Sequence, residues 1–541
     1  MTYGSGTLSR GLPPRGAGRA CLVPSGAGRA GRGLVLFLGL TLGLALGLGA
    51  APARAAGQDP RLARALKDLA THAEQERQAW QSPGLAVAVT KGEEIVYLHG
   101  FGQRSLGGPP VDGDTVFQIG SLSKAFTATL VARLVDEGRL KWTDRVIDRL
   151  PAFRMWDPWV TREFRITDLL AQRSGLPEHA GDNLSMLGYD RKELMHRMAF
   201  LEPATSFRLE YAYQNLPFLW AAALVEERTG ISWENQLEKN LFPLLGMKHA
   251  TTTLAGFRAS PNVAQGYILD AKDGTRSTLP PDSPYQNWCY LLGPAGGINA
   301  SARDMAHWAI VQANPGSRPA DRILKKESLE FLQAPQTPIP GTKQGYRHSY
   351  ALGWVRTEFS PYPLVWHTGG TLLFSTAVAV MPAEKLGIVI LSNCAGSDLP
   401  LTLVFRFFTM WRDGRSPDFC SEALNAARRK REKAREKEAA RPPGRINPPL
   451  SPAAYVGVYH NQGYGDFRVK SAPRSTLTYE LGALPATGRL VPVDRDLFRL
   501  DLPDLGDFGE AAFELDAEGV AQAVRLSNCE DAGQGHFIRV K

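Results

Sequence analysis

The chain has 541 residues, of which 43% are hydrophobic, 9% aromatic and 21% charged. This is the composition of a globular protein, and it excludes a mainly disordered, collagen-like or disulfide-scaffold chain. The formal charge of +8 does not point to nucleic acid, because six arginines (Arg10, Arg15, Arg19, Arg29, Arg32 and Arg54) lie within residues 1–55, a stretch with no lysine and no acidic residue.

That basic stretch holds the apolar run 34–50, LVLFLGLTLGLALGLGA, followed by Ala53-Arg54-Ala55. A positive segment, a short apolar run and an A-x-A pattern read as an export signal over residues 1–55. The run is glycine-rich and short of the roughly 20 residues a bilayer span takes, and no later stretch is long and apolar enough. The expected product is exported, periplasmic or extracellular, with no stable membrane span after cleavage. Beyond the leader, Cys289, Cys394, Cys420 and Cys529 are scattered, with no C-x-x-C spacing and no nearby histidine pair. They do not make a zinc site, and in an oxidising compartment they leave room for one or two disulfides.

Further along, 84–89 and 95–98 carry strand-like apolar residues on either side of a Lys91-Gly92-Glu93 turn. Leu122, Phe126, Leu130, Leu134 and Val135 keep helical spacing, as do the stretches 216–227 and 231–239. LGIVILS at 386–392 reads as a buried strand. Strands at both ends and helices between make the body α/β (α+β). At 426–452 the composition shifts to alternating charges and then a Pro/Gly cluster. Glu432, Glu436 and Glu438 interleave with the basic residues there, so this is a solvated helix end and a stiff linker rather than a nucleic-acid patch. Short alternating runs follow at 455–459, 467–469, 497–500 and 513–515, separated by Gly, Pro and Asp, the pattern of a small antiparallel β-domain. The expected organisation is a leader over 1–55, a body over 58–425, a charged then Pro-rich linker over 426–449 and a β-domain over 450–541.

The sequence contains no H-E-x-x-H, P-loop or G-x-S-x-G motif. It contains one S-x-x-K, Ser121-Leu122-Ser123-Lys124, at the head of the helical pattern. Ser121 opens the helix and Lys124 lies one turn on, on the same face. A serine hydroxyl attacks a carbonyl when a neighbouring base takes its proton. A lysine can be that base if burial brings its pKa from about 10.4 towards neutrality. The helix N-terminus adds backbone N–H groups for a developing oxyanion. Tyr213-Gln214-Asn215 precedes an apolar helix and offers a second proton carrier and a substrate-orienting amide; Tyr285-Gln286-Asn287 is the fallback match. His367-Thr368-Gly369-Gly370 heads a strand-like run, a cation or donor followed by a hydroxyl and two glycines that let backbone approach a substrate.

With these three motifs in order, the body resembles the penicillin-recognising serine hydrolases, in particular the class C β-lactamase, DD-peptidase and esterase group. ITDLLAQRSGLP at 166–177, LFPLLGMK at 241–248 and GPAGGINASARDMAHW at 293–308 resemble further segments of that family. The resemblance implies a class C β-lactamase-like body, with an antiparallel sheet flanked by helices plus an all-helical region. The C-terminal piece is similar to a small lipocalin-like β-barrel. It implies that Ser121 is the acylated nucleophile, Lys124 its base and Tyr213 a second acid/base. Asn215, His367, Thr368 and Gly369 would contact substrate, and the backbone N–H groups of Ser121 and Gly370 would form the oxyanion hole. Two departures stand out. Histidine occupies position 367, where β-lactamases have lysine, and Gln214 replaces a common serine, which bears on packing more than on chemistry.

The function expected is therefore an exported serine hydrolase that acts through an acyl-enzyme on D-amino-acid peptides, peptidoglycan fragments or small esters. A true β-lactamase is the alternative, and a non-catalytic ligand-binding or sensing protein is the alternative of another class. No cofactor or metal is implied, and the expected partner is a small-molecule or peptide substrate. For the β-domain two readings stand side by side: that, through Tyr464 or a neighbouring loop, it covers the cleft and sets specificity, or that it is a stabilising appendage.

Overall fold

The computed structural model describes residues 59–269, 275–343, 345–439, 447–483, 487–530 and 534–540. The leader over 1–55, Cys21 and the central part of the linker, 440–446, lie outside them. The elements that matter for the site are, in chain order, helix α1 (Pro60–Ala79), strands β1 (Gly84–Lys91) and β2 (Glu94–Gly102), and helices α2 (Ser123–Asp136), α3 (Asp182–Met186), α4 (Leu216–Thr229) and α5 (Ala302–Ala313). Strands β3 (Thr337–Lys343), β4 (Tyr346–Tyr350), β5 (Val355–Thr357), β6 (Leu364–Gly370), β7 (Ser375–Met381) and β8 (Leu386–Ser392) follow, then helices α6 (Leu399–Asp413) and α7 (Phe419–Ala439).

The eight strands form one antiparallel sheet in the order β2-β1-β8-β7-β6-β5-β4-β3. The first hairpin turns at Gly92, which takes φ +60°, and β1 also pairs with β8, from Leu85 opposite Ser392 to Lys91 opposite Leu386. The sheet is thus closed by bringing both ends of the body together, while the helical region is inserted between β2 and β3. Strand side chains alternate between two faces, and here both faces are covered. Leu85, Val87, Val89, Ile388 and Ile390 pack with α1 and α6, and Ala86, Ala88, Val389 and Leu391 pack with α5 and the helical region. Both faces being apolar explains why 386–392 is a continuous hydrophobic run rather than an alternating one.

Polar side chains fix the ends and seams of these elements. Asp59 caps α1 by accepting from the Arg61 N–H at 2.9 Å, with Pro60 in the first turn. Between α1 and α6 the nearly buried Arg406 donates to Asp68 at 3.0 Å and Glu76 at 3.1 Å. Cys289, Cys394, Cys420 and Cys529 are buried apart from one another, so the disulfides for which the sequence leaves room do not form between them among the described residues. Burial pushes the Cys289 and Cys420 thiols up to about 12.

The C-terminal piece is a closed up-and-down barrel of β9 (Gly457–Asn461), β10 (Gly465–Ala472), β11 (Thr476–Leu481), β12 (Gly488–Asp494), β13 (Leu497–Leu502), β14 (Gly506–Leu515), β15 (Ala521–Leu526) and β16 (His536–Arg539). Closure comes from β16 pairing back onto β9, which leaves no free edge. Its interior is filled by Tyr459, Phe467, Tyr479, Phe498, Phe513 and Phe537, as expected of eight strands. The barrel seats on α3 and the short helix Arg191–Arg197. Tyr189 donates its hydroxyl to the Tyr464 carbonyl at 2.8 Å, Arg197 donates to the Gly463 carbonyl at 2.8 Å, and the Ala483 N–H donates to the Leu187 carbonyl at 2.7 Å. The Tyr464 side chain is fully buried. It belongs to this joint and does not cover a cleft. Among the described residues no helix is long and apolar enough to cross a membrane.

Candidate active site

The site forms where the helical region meets β6. Gly120 takes φ +55°, and a Cβ there would lie 2.7 Å from both the N and the O of Gly370. That contact leaves room for glycine alone. It also explains a small difference from the sequence reading. Ser121 sits in a 3-10 turn, Gly120–Leu122, and the α-helix proper starts at Ser123. Ser123 is buried and ties the turn down, donating to the Gly120 carbonyl at 2.7 Å and accepting from the Ile298 N–H at 3.1 Å.

Lys124 points back along α2 to Ser121. Its Nζ lies 3.1 Å from Ser121 Oγ, 2.5 Å from Asn215 Oδ1 and 3.0 Å from the Ala295 carbonyl. The lysine is fully buried. Burial lowers its pKa to about 7, against the charge of Asp182, which favours the ammonium. Tyr213 closes one side, its ring centroid 4.7 Å from Lys124 Nζ. Burial holds the phenol well above 10, Tyr350 pushes the same way, and a hydrogen bond with Ser121 pulls it down. Tyr285, the fallback, sits instead in the turn Pro284–Asn287, where it feels Asp504 of the barrel.

Asn215 spends both ends of its amide on the protein. Its Oδ1 accepts from Lys124 and its Nδ2 donates to Asp182 Oδ2 at 2.7 Å. His367 was expected to supply a cation or donor; it is 3% exposed and both ring nitrogens have protein partners. Its Nδ1 donates to the Thr368 carbonyl at 2.6 Å, which leaves Nε2 to accept from the Tyr350 hydroxyl at 3.1 Å. Burial first, and then Lys124, lower its pKa to about 3, so the ring is neutral. Thr368 is partly exposed, Gly370 is exposed, and Gly369 lies so close to Ile119 that a Cβ would be 1.9 Å from the Ile119 carbonyl oxygen.

Gln214 is buried, and its side-chain amide donates to the Leu176 carbonyl at 3.3 Å and to the Pro177 carbonyl, while its backbone N–H donates to Gln172 Oε1 at 2.5 Å. It pins the tyrosine loop onto the Ser-Gly-Leu-Pro segment. Two residues absent from the sequence reading complete the surroundings. Asp182, at the start of α3, meets Asn215, and His179 Nδ1 lies 2.7 Å from Asp182 Oδ2 with its ring against Tyr213. A carboxylate and a histidine three residues apart in a loop carry no periodic signal; SGLPEHAGD shows them merely as polar residues after the Ser-Gly-Leu-Pro turn.

A serine and a desolvated lysine on one helix turn, beneath a glycine-bearing strand edge, define a serine hydrolase of the β-lactamase fold. The chain belongs to the beta-lactamase family, whose model matches residues 69–404. "Unguisins hydrolase ungD'" of Aspergillus campestris is 27% identical over 487 residues, spanning 85% of this chain and 89% of that protein. The octameric penicillin-binding protein homologue of Pyrococcus abyssi superposes with a TM-score of 0.56 at 20% identity, over 88% of this chain and all of that one. A class C beta-lactamase superposes with a TM-score of 0.52 at 20% identity, over 64% of this chain and 96% of that one. These likenesses bear out the expected fold class, a class C β-lactamase-like body followed by an antiparallel barrel.

Proposed function

We propose that this chain is an exported hydrolase that cleaves amide or ester bonds through an acyl-enzyme on Ser121. The observation that carries the proposal is the buried Lys124 amine, 3.1 Å from Ser121 Oγ and near-neutral in pKa. Neutral Lys124 takes the Ser121 proton as Oγ bonds to the substrate carbonyl carbon. The backbone N–H groups of Ser121 and Gly370 stabilise the oxyanion, a contact worth about 3 kcal/mol of barrier per donor. As the tetrahedral adduct collapses, Lys124 returns the proton through Tyr213 to the departing amine or alcohol. Water then repeats the sequence in reverse roles and releases the acid. Tyr213 keeps its proton at rest and acts as a donor, and Asn215 holds Lys124 in place.

D-amino-acid peptides, peptidoglycan fragments and small esters are the substrate class proposed. The neutral, fully engaged His367 supports peptidase or esterase activity over β-lactam hydrolysis, because it offers no positive charge to a β-lactam carboxylate. The similarity to a protein named as a hydrolase of unguisins and to a penicillin-binding protein homologue supports the same choice. Export rests on the leader pattern in residues 1–55. The test is intact mass after exposure to a fluorophosphonate and, separately, to a penicillin, with Ser121→Ala alongside. A fluorophosphonate adduct that vanishes in Ser121→Ala is expected, with penicillin either ignored or retained as a lasting adduct. Rapid penicillin turnover would favour the β-lactamase reading. Folded protein that takes no adduct from either reagent would overturn catalysis in favour of a binding protein.

A further inference from the structure

Behind Lys124 runs an unbroken chain of short contacts to the protein surface. Lys124 Nζ donates to Asn215 Oδ1, Asn215 Nδ2 donates to Asp182 Oδ2, and the same Oδ2 receives His179 Nδ1. Asp182 is 17% and His179 40% exposed at the side chain, so the chain begins buried and ends at solvent. The other carboxylate oxygen, Asp182 Oδ1, is buried and makes no hydrogen bond among the described residues, which leaves the charge dependent on its cationic neighbour. The backbone of His179 takes φ +63°, a region uncommon for non-glycine residues that histidine and asparagine enter more readily than most, and its N–H donates to the Tyr213 carbonyl at 2.8 Å.

We propose that His179, paired with Asp182, is a second switchable group that sets the protonation of Lys124 through Asn215 and so fixes the pH range in which Ser121 is acylated. The inference rests on the reading of Lys124 as the base for Ser121. The groups facing the pair are Glu178 on its own turn, Tyr213 from the loop before α4, and Lys124 from α2, with His367 of β6 beyond Lys124. Burial lowers the His179 pKa, but the hydrogen bond and charge of Asp182, helped by Glu178, outweigh it and raise the net value. While His179 carries its proton, the charge of Asp182 is balanced and Lys124 is free to be neutral. When His179 loses it, Asp182 stands alone and draws a proton onto Lys124. The two cations also repel each other directly, in the same sense. His179 and Asp182 are positioning residues in this scheme, since neither touches the reacting atoms.

The test is the rate of fluorophosphonate labelling against pH on the full chain, for the wild type, His179→Asn, Asp182→Asn and Ser121→Ala. Asparagine tolerates the left-handed backbone at 179 and does not titrate. The acid-side limb is expected to move upward by about half to one pH unit in His179→Asn and downward by a similar amount in Asp182→Asn, since an adjacent opposite charge shifts a pKa by about 1–3 units and this one acts across an intervening amide. At a pH below the limb, that is about 3- to 10-fold slower and faster labelling, respectively. Limbs that stay in place while both variants lose rate equally at every pH would mean a structural role alone and overturn the proposal. If Asp182→Asn does not fold, the upward shift of His179→Asn decides by itself. Labelling that survives in Ser121→Ala would bring down the acyl-enzyme reading; labelling that needs Ser121 but shows no opposed shifts brings down this proposal alone.

Discussion

Lys124 makes the site's pH dependence calculable in sign. Its pKa is lowered to about 7 by burial, so the neutral, proton-accepting form grows as pH rises through about 7. Acylation should therefore climb with pH across that point and show no second loss up to pH 9, because the Tyr213 phenol is held well above 10. Stopped-flow acylation with an activated ester would check both limbs. Gln214 shows how a residue can matter without touching the chemistry. Gln214→Ala leaves the Leu176 carbonyl without its donor, while the Pro177 carbonyl keeps the Ala180 N–H, and a lost buried hydrogen bond costs about 1–3 kcal/mol. Urea unfolding should register about 2 kcal/mol, with slower acylation as the Tyr213 loop loosens. The S-x-x-K spacing made Ser121 and Lys124 legible in sequence, since three residues on a helix is a fixed geometry. His367 was legible as a position but not as a chemical state. Its neutrality comes from burial first and then from the nearby Lys124, both supplied by tertiary packing that no local pattern encodes.

Among the elements, those with a strong local period were readable and those built by tertiary pairing were not. Strand β8 coincides with the apolar run 386–392, and α2 and α4 follow their hydrophobic spacing. The stretch 231–239 keeps helical spacing and is helical from Trp233 onward, but only Trp233–Asn235 is α-helix before the chain widens into a π-helix, Gln236–Leu241. Apolar spacing over so few residues does not separate a 3.6-residue turn from a wider one. Strands β3, β4 and β5 left little trace because their polar, proline-bearing sequence pairs at the sheet's far edge. Helices α1 and α6 are joined by Arg406 between Asp68 and Glu76. Arg406→Ala would strand two carboxylates in an enclosed seam, at a cost of about 3–5 kcal/mol. Guanidinium unfolding should show that loss, while Arg406→Lys, which keeps the charge, should recover part of it.

At the scale of the molecule, hydrogen bonds at the joint beside α3 tie barrel to body, and a single calorimetric transition is expected of the wild type. Gly482 takes φ +74°, and a Cβ there would lie 2.5 Å from Leu187 Cβ and 2.6 Å from its carbonyl oxygen. Gly482→Ala should therefore pry the barrel from its seat and split the single calorimetric transition into two, whereas Gly506→Ala, with open space around it, should lower stability slightly and leave one transition. Asp182 opens the very helix on which the barrel rests, so loosening the joint would reach the site from behind. The contact of Gly120 with Gly370 has a different consequence. Two main chains from opposite halves of the body touch there with no side chain between them, and β7 adds a latch where Thr376 donates to the Ile119 carbonyl at 2.9 Å. Such a join has no compressible layer, so the spacing between the Ser121 turn and the edge of β6 is set by main-chain contact and leaves side chains no room to adjust it.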